Sequence, residues 1–170
     1  MTIIHQTARL TIRQFNDDDA AFILRLLNEP SFLKNIGDKK VRTINDAKRY
    51  LNTGPLASYQ AYGFGLCMVE LTKAKEPIGM CGLIKRPELS LPDLGYAYLP
   101  KFWRMGYAKE AATAVLNNAK QQYNLTKIAA ITSLENESSI HLLNALGFEQ
   151  LRIVALYKKT PDSRYFEYYT

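Results

Sequence analysis

Apolar and polar residues follow two different periods along this chain, and the change from one to the other marks its predicted elements. In residues 8–15, Leu10 and Ile12 alternate with Thr11 and Arg13, a pattern typical of a half-exposed strand. The next apolar residues recur at helical spacing and form one stripe for burial: Ala20, Ile23, Leu24 and Leu27. The chain therefore begins with a strand and an amphipathic helix.

Residue types suited to helix ends support these assignments. Asn16 is a candidate N-cap followed by three aspartates, and the helix dipole favours carboxylates in the first turn. A second helix is predicted to start at Thr43 or Asn45, with Pro55 either ending or bending it. We therefore expect two helices before the next strand.

Six further strands and two further helices follow. The strands cover residues 63–72, 78–85, 91–99, 125–132, 148–157 and 164–169, and the helices cover residues 107–123 and a segment from Asn136 to the C-capping Gly147. Hairpins imply antiparallel neighbours, whereas the strand–helix–strand order in the middle implies locally parallel strands. We predict a mixed α/β fold in a single domain spanning residues 1–170.

The composition is that of an ordinary globular protein and excludes several other classes. Of the 170 residues, 47% are hydrophobic and 22% are charged, which is too apolar a balance for a disordered chain. No apolar run approaches the ~18 residues of a membrane helix, and the N-terminus lacks the basic and apolar regions of a secretory signal. We expect a cytoplasmic protein without a membrane segment.

The positive charge suits an anionic partner. The chain carries 22 Lys+Arg against 16 Asp+Glu, a balance that fits nucleic acid, a membrane surface or a phosphorylated cofactor. Its basic residues are dispersed, with no basic block and no contiguous basic face interleaved with aromatics, which disfavours nucleic acid. Cys67, Cys81 and two histidines are too few for a disulfide framework or a zinc site, so we expect reduced thiols and no metal.

The most informative segment, residues 99–112, runs from a strand through a loop into the longest helix. A helix N-terminus presents unpaired N–H groups and the positive end of the dipole, which together bind anions. Gly106 allows a bulky anion to approach the backbone, and Arg104 and Lys101 add positive charge. The segment predicts a phosphate-binding loop; the alternative is that Gly106 only eases the loop into the helix.

Two motifs resemble those of the GNAT superfamily of N-acetyltransferases. Residues 93–111 (DLGYAYLPKFWRMGYAKEA) resemble its acyl-CoA signature, and residues 136–148 (NESSIHLLNALGF) resemble its second hallmark, N-x-x-S-x-x-L-L-x-x-L-G-F. Residues 8–13 and 16–20 are similar to the start of the branch that contains ribosomal-protein N-terminal acetyltransferases. The resemblance covers residues 7–157.

This resemblance implies a mostly antiparallel central sheet with one splayed parallel pair, flanked by helices, and acetyl-CoA as the donor. It implies that backbone groups of Tyr96 and Tyr98 pair with pantetheine, and that Asn136 contacts pantetheine or caps its own helix. The residues implied to hold the pyrophosphate are those of the loop and first helical turn: Trp103, Arg104, Met105, Gly106, Tyr107 and Ala108.

The chain departs from the superfamily in two places. In the pattern Q/R-x-x-G-x-G/A, Trp103 occupies the first position and Arg104 stands where glycine is commonest, which either tightens or crowds cofactor binding. Leu143 occupies the position of the tyrosine that many members use as an acid. The resemblance then assigns protonation of the leaving thiolate to Ser139, with a helix-capping hydroxyl as the alternative.

The resemblance implies direct acetyl transfer to a primary amine, with a protein or peptide N-terminal α-amine as the favoured acceptor. The base is left open among Asp93, Glu70 and Tyr98, and Asp93 is alternatively a solvent-facing turn residue. A small-amine acetyltransferase and a non-catalytic acyl-CoA-binding module are the alternatives. Both a monomer and a homodimer are compatible with the sequence.

Overall fold

The computed structural model describes residues 2–156 and 161–170, and within them eight strands form one sheet. The strands are β1 (Ile3–Gln6), β2 (Leu10–Arg13), β3 (Leu66–Leu71), β4 (Pro77–Ile84), β5 (Asp93–Tyr98), β6 (Lys127–Ser133), β7 (Glu149–Val154) and β8 (Ser163–Tyr169). Their order in space is β1-β2-β3-β4-β5-β6-β8-β7. Neighbours are antiparallel except β5 and β6, which are parallel. The predicted mixed fold is confirmed.

Helices cover both faces of the sheet. They are α1 (Ala20–Leu27), α2 (Pro30–Asn35), α3 (Ile44–Leu51), α4 (Ala57–Tyr62), α5 (Tyr107–Tyr123) and α6 (Glu137–Leu146). One face packs α5 and α6 against β2, β3 and β4, and the other packs α1 and α3 against Met68 and Met80. Among the helices of the described residues, none combines the length and hydrophobicity needed to span a bilayer.

The expectation of a half-exposed first strand is wrong, because every residue of β2 is buried. Helices lie over both faces at this point, so the polar side chains of β2 need partners inside the protein. The Thr11 hydroxyl lies 3.0 Å from that of Thr72. Arg13 pairs with Asp19 at 2.8 Å and Glu70 at 3.1 Å. These bonds satisfy the buried polar groups that a sequence pattern assigns to solvent.

The predicted helix starts are confirmed. Asn16 accepts a hydrogen bond from the Asp18 N–H at 2.9 Å, and Thr43, rather than Asn45, caps α3 by accepting from the Asp46 N–H at 3.1 Å. Pro55 bends the chain and does not end it, since it lies in a π-helical turn (Asn52–Leu56) that leads into α4.

Three short elements were not predicted: β1, α2 and α4. The strand predicted for residues 148–157 is observed as β7, and Tyr157 lies outside the described residues. Cys67 and Cys81 lie opposite each other on β3 and β4, and both thiols are free and buried.

The parallel strands β5 and β6 pair at one point and then separate. Asp93 is opposite Ala129, whose N–H donates to the Pro92 C=O at 2.9 Å. Strand residues direct their backbone groups alternately to the two edges, so the same edge of β5 is shared by every second residue after Pro92: Leu94, Tyr96 and Tyr98. Beyond the Asp93–Ala129 pair this edge faces a gap, and the predicted splayed pair is confirmed.

Candidate active site

Backbone groups of Tyr96 and Tyr98 line the gap between β5 and β6. Trp103 uses part of this edge, because its indole N–H donates to the Tyr98 C=O at 2.9 Å. Tyr96 directs both its N–H and its C=O into the gap, on the edge opposite to β4. An extended ligand can pair with this edge as an added strand would.

The loop between β5 and α5 has the backbone of an anion site. Gly106 is the N-cap of α5 with a φ of +80°, and Arg104 also adopts a left-handed φ, of +61°. Left-handed residues before a helix turn successive N–H groups to one side, and the first N–H groups of α5 have no acceptor within the helix. Trp103 and Met105 are 45% and 51% exposed, so this loop is open to a ligand.

The structure explains one charged residue of this loop and corrects the expectation for another. Arg104 occupies a backbone conformation that glycine adopts without strain, which explains why glycine suits this position. Lys101 does not add a free charge to the loop, because its ammonium lies 2.5 Å from a carboxylate oxygen of Glu76.

Ser139 lies in the first turn of α6, the helix that follows β6. Asn136 caps this helix by accepting a hydrogen bond from the Ser139 N–H at 3.2 Å. The Ser139 hydroxyl is buried and lies 2.6 Å from the Tyr96 hydroxyl. Burial raises the pKa of Tyr96 to about 12, against the lowering effect of the hydrogen bond with Ser139. Both hydroxyls therefore hold their protons at neutral pH.

One family model matches the part of the chain that carries the splayed pair, the anion loop and the capped helix. The model of the acetyltransferase (GNAT) domain matches residues 9–149. The chain belongs to the GNAT acetyltransferase family. It is therefore an enzyme of the acyltransferase class, as its two motifs imply.

GNAT relatives match most of the chain. The uncharacterized N-acetyltransferase YoaA of Bacillus subtilis is 28% identical over 155 residues, which cover 91% of this chain and 87% of YoaA. An acetyltransferase structure from Agrobacterium tumefaciens has a TM-score of 0.82 at 23% identity and covers 98% of this chain and 94% of its own. The structure of RimL, a ribosomal L7/L12 alpha-N-protein acetyltransferase in complex with coenzyme A, has a TM-score of 0.81 at 13% identity, with coverages of 98% and 97%. These structures share the fold of this chain.

Asp93 is a buried carboxylate at the closed end of the GNAT gap. It is 1% exposed, so the interpretation as a solvent-facing turn residue is wrong. The Arg86 Nε donates to Oδ1 at 2.9 Å, whereas Oδ2 is buried and lacks a hydrogen-bond partner among the described residues. Burial raises the pKa of Asp93, against the lowering effect of Arg86. A raised pKa and an unused oxygen are properties of a proton acceptor.

The two other candidate bases have different surroundings. Glu70 lies on β3, separated from β5 by β4, and its carboxylate accepts from the Arg13 Nε at 3.1 Å. The Tyr98 phenol is buried in the core, and this burial raises its pKa well above the ordinary value. Among the three, Asp93 is the carboxylate that lies at the β5–β6 pair and has an oxygen left unbonded within the described part of the chain. The Tyr98 hydroxyl also lacks a partner among the described residues, but its raised pKa keeps it protonated.

Leu143 is fully buried between α6 and the sheet, and it has no polar atom to donate a proton. The hydroxyls of Tyr96 and Ser139 occupy this neighbourhood instead. Sequence reasoning assigned Tyr96 a backbone role and missed its side chain. The alternation of side chains along a strand was an available signal, because it places the side chains of Tyr96 and Leu94 on the same face of β5.

Proposed function

We propose that this GNAT enzyme transfers the acetyl group of acetyl-CoA to a primary amine, most favourably the N-terminal α-amine of a protein or peptide. One observation carries the proposal: the strand edge at Tyr96 leads from the anion-binding loop to the Ser139 hydroxyl. In this arrangement the amides of residues 103–108 bind the pyrophosphate and the edge at Tyr96 and Tyr98 binds pantetheine. The thioester then lies beside Ser139.

Side-chain and backbone groups of the chain assist each step of the transfer. The neutral amine nitrogen attacks the thioester carbonyl, the new C–N bond forms, and the C–S bond breaks. Asp93 accepts the proton that the amine loses, and a backbone N–H of the splayed strand stabilises the oxyanion. Ser139 donates a proton to the leaving thiolate and regains one through the Tyr96 hydroxyl, 2.6 Å away, which takes a proton from solvent in exchange. Asp93 releases the amine proton to solvent when the product leaves, so the enzyme returns to its starting protonation state.

The chemistry of attack favours an α-amine as acceptor. A free α-amine has a pKa of ~8 and a lysine side chain one of ~10.4, so at pH 7 about one α-amine in ten is neutral but fewer than about one lysine in a thousand. RimL, which shares the fold, is described as an alpha-N-protein acetyltransferase. A small amine of similar pKa satisfies the same requirement, so the acceptor panel below includes one.

Calorimetric titration with acetyl-CoA tests the donor. Wild-type protein is expected to bind acetyl-CoA, and Gly106→Asp is expected to weaken binding strongly, because its side chain is directed at Arg9, displaces the guanidinium that holds the loop and adds a negative charge beside the anion site. Gly63→Asp is the matched control: Gly63 has nearly the same φ, +77° against +80°, and lies against Tyr123 at the far end of α5.

Acetyl transfer is then measured with three acceptors: a peptide with a free α-amine, the same peptide with a blocked terminus and a free lysine, and a small primary amine. Preference for the first supports the proposed acceptor, and preference for either of the others contradicts it. A folded wild type that does not bind acetyl-CoA would overturn the proposed donor.

A further inference from the structure

Arg9, in the turn between β1 and β2, makes four contacts with the start of α5. Its Nε donates to Glu110 Oε2 at 2.7 Å, and its Nη2 lies 2.6 Å from the same oxygen. Its Nη1 donates to the Met105 C=O at 2.9 Å. The guanidinium also stacks over the Tyr107 ring, 4.5 Å from the ring centroid. Arg9, which precedes Met105 by 96 positions in the sequence, thus contacts the anion-binding loop on the side opposite to its open face.

The contact with Met105 fixes the direction of the next amide. In a planar trans peptide, the C=O of one residue and the N–H of the following residue point in opposite directions. Because Arg9 holds the Met105 C=O, the N–H of Gly106 points away from Arg9 and toward the open side of the loop. A Cβ on Gly106 would lie 3.3 Å from Arg9 Nη2. The absence of a side chain at Gly106 therefore makes room for the guanidinium.

The contact with Glu110 neutralises a charge that opposes anion binding. Glu110 lies in the first turn of α5 and also accepts hydrogen bonds from the Thr7 hydroxyl at 2.6 Å and the Arg9 N–H at 3.1 Å. Burial raises the pKa of Glu110, but the hydrogen bonds from Thr7 and Arg9 outweigh this effect and lower it. Glu110 is thus ionised, and without Arg9 its charge would repel a phosphate at the same helix end.

We infer that Arg9 is a positioning residue for the pyrophosphate of the acyl-CoA donor, acting through the Met105 carbonyl on the loop amides. The inference rests on the proposed donor. Arg9 itself is on the opposite side of the loop from the ligand and is not a catalytic residue. Its effect is therefore confined to the nucleotide end of the donor.

Donors with and without the pyrophosphate separate this role from a general structural one. In Arg9→Met, we expect the Kd for coenzyme A and the KM for acetyl-CoA to rise by about tenfold or more, as for loss of a hydrogen bond to a charged group. The rate at saturating acetyl-CoA should change by less than about twofold. With S-acetylpantetheine, which has the thioester but no nucleotide, kcat/KM should be unchanged. An equal loss with both donors would overturn the inference.

Glu110→Gln separates the two contacts of Arg9. The double variant Arg9→Met/Glu110→Gln lacks the repelling charge and also lacks the bond to Met105, so we expect it to bind coenzyme A more tightly than Arg9→Met but more weakly than the wild type. Recovery of wild-type affinity in the double variant would show that Arg9 only cancels a charge and would overturn loop positioning. If Arg9→Met does not fold, Arg9→Lys serves instead, because it keeps the charge and loses the planar fork.

Binding of coenzyme A by the wild type distinguishes failure of the Arg9 role from failure of the proposed donor. A wild type that binds coenzyme A, together with unchanged affinity in Arg9→Met or Arg9→Lys, would overturn the role of Arg9 alone. A wild type that does not bind coenzyme A would overturn the donor and the role of Arg9 together.

Discussion

In the proposed mechanism, the acid is divided between two side chains that come from different elements. Ser139 is held by the first turn of α6 and Tyr96 by β5, and their hydroxyls are 2.6 Å apart. Many GNAT enzymes place a tyrosine on the helix itself, where this chain has Leu143. In the proposal, the tyrosine comes from the strand and acts on the thiolate through the serine. The pair would thereby take the role that Leu143 cannot fill.

Removing the Ser139 hydroxyl tests this arrangement. Ser139→Ala is expected to lower kcat by about 10²–10⁴-fold, the usual contribution of general acid catalysis. The affinity for acetyl-CoA should be close to that of the wild type, since the pyrophosphate loop is unaltered. Tyr96→Phe should cause a smaller loss, because Ser139 keeps its own hydroxyl. Steady-state kinetics with saturating acetyl-CoA measures both effects.

Ser138 provides the control for these variants. It is the preceding residue on α6 and is exposed, so Ser138→Ala should have wild-type kcat. Wild-type turnover in Ser139→Ala would exclude Ser139 as the proton donor.

The buried carboxylate of Asp93 predicts a specific dependence of stability on pH. Its pKa in the folded protein is raised, chiefly by burial, whereas an unfolded aspartate titrates near 3.9. The folded state therefore binds the proton more tightly than the unfolded state. The contribution of Asp93 to the free energy of unfolding increases as pH falls through its folded-state pKa, and it is complete below about 3.9.

Urea unfolding of the wild type and Asp93→Asn between neutral pH and pH ~4 measures this contribution. The difference in free energy of unfolding, wild type minus variant, should shift in favour of the wild type as the pH is lowered. The opposite slope would mean that the pairing with Arg86 outweighs burial, and Asp93 would then be a poor proton acceptor.

At the scale of elements, the clarity of the apolar period decides what was predictable. The helix predicted for residues 107–123 has the bounds observed for α5, and the helix after Asn136 ends at Gly147 as predicted. Each of these contains several turns of periodic apolar positions. Helices α2 and α4 are six residues long, less than two turns, which is too short for a helical period to stand out from chance. Strand β1 (IIHQ) does not alternate apolar and polar residues, whereas β2, which has the same length, does alternate and was predicted.

Contacts between distant residues explain what the sequence left open in the site. The anion loop and Ser139 were located because each lies within a local motif. The support of the loop by Arg9 and the pairing of Tyr96 with Ser139 join residues 101 and 43 positions apart, respectively, and no local pattern encodes either. The burial of Arg13 was missed for the same reason, since it depends on partners on another strand and a helical turn.

At the scale of the whole molecule, the gap divides the sheet into two parts, β1–β5 and β6–β8, which pair at Asp93 and Ala129. Away from the Asp93–Ala129 pair, the packing of α5 against α6 connects the two parts of the sheet. A pantetheine arm on the β5 edge would supply hydrogen bonds that β6 does not. Donor binding should therefore protect the sheet locally as well as stabilise the whole fold.

Amide hydrogen exchange with and without coenzyme A distinguishes the local effect from the global one. The Tyr96 N–H faces the gap, whereas the N–H of the next residue, Ala97, faces β4, so the two amides form a matched pair within one strand. At Ala97, coenzyme A should slow exchange only by the factor that corresponds to the stabilisation of the whole fold. This stabilisation is about 2.7 kcal/mol at a ligand concentration of 100 times Kd. Exchange at Tyr96 should slow by a larger factor, because its N–H also gains a hydrogen-bond acceptor. Equal slowing at both amides would place the pantetheine arm away from the β5 edge.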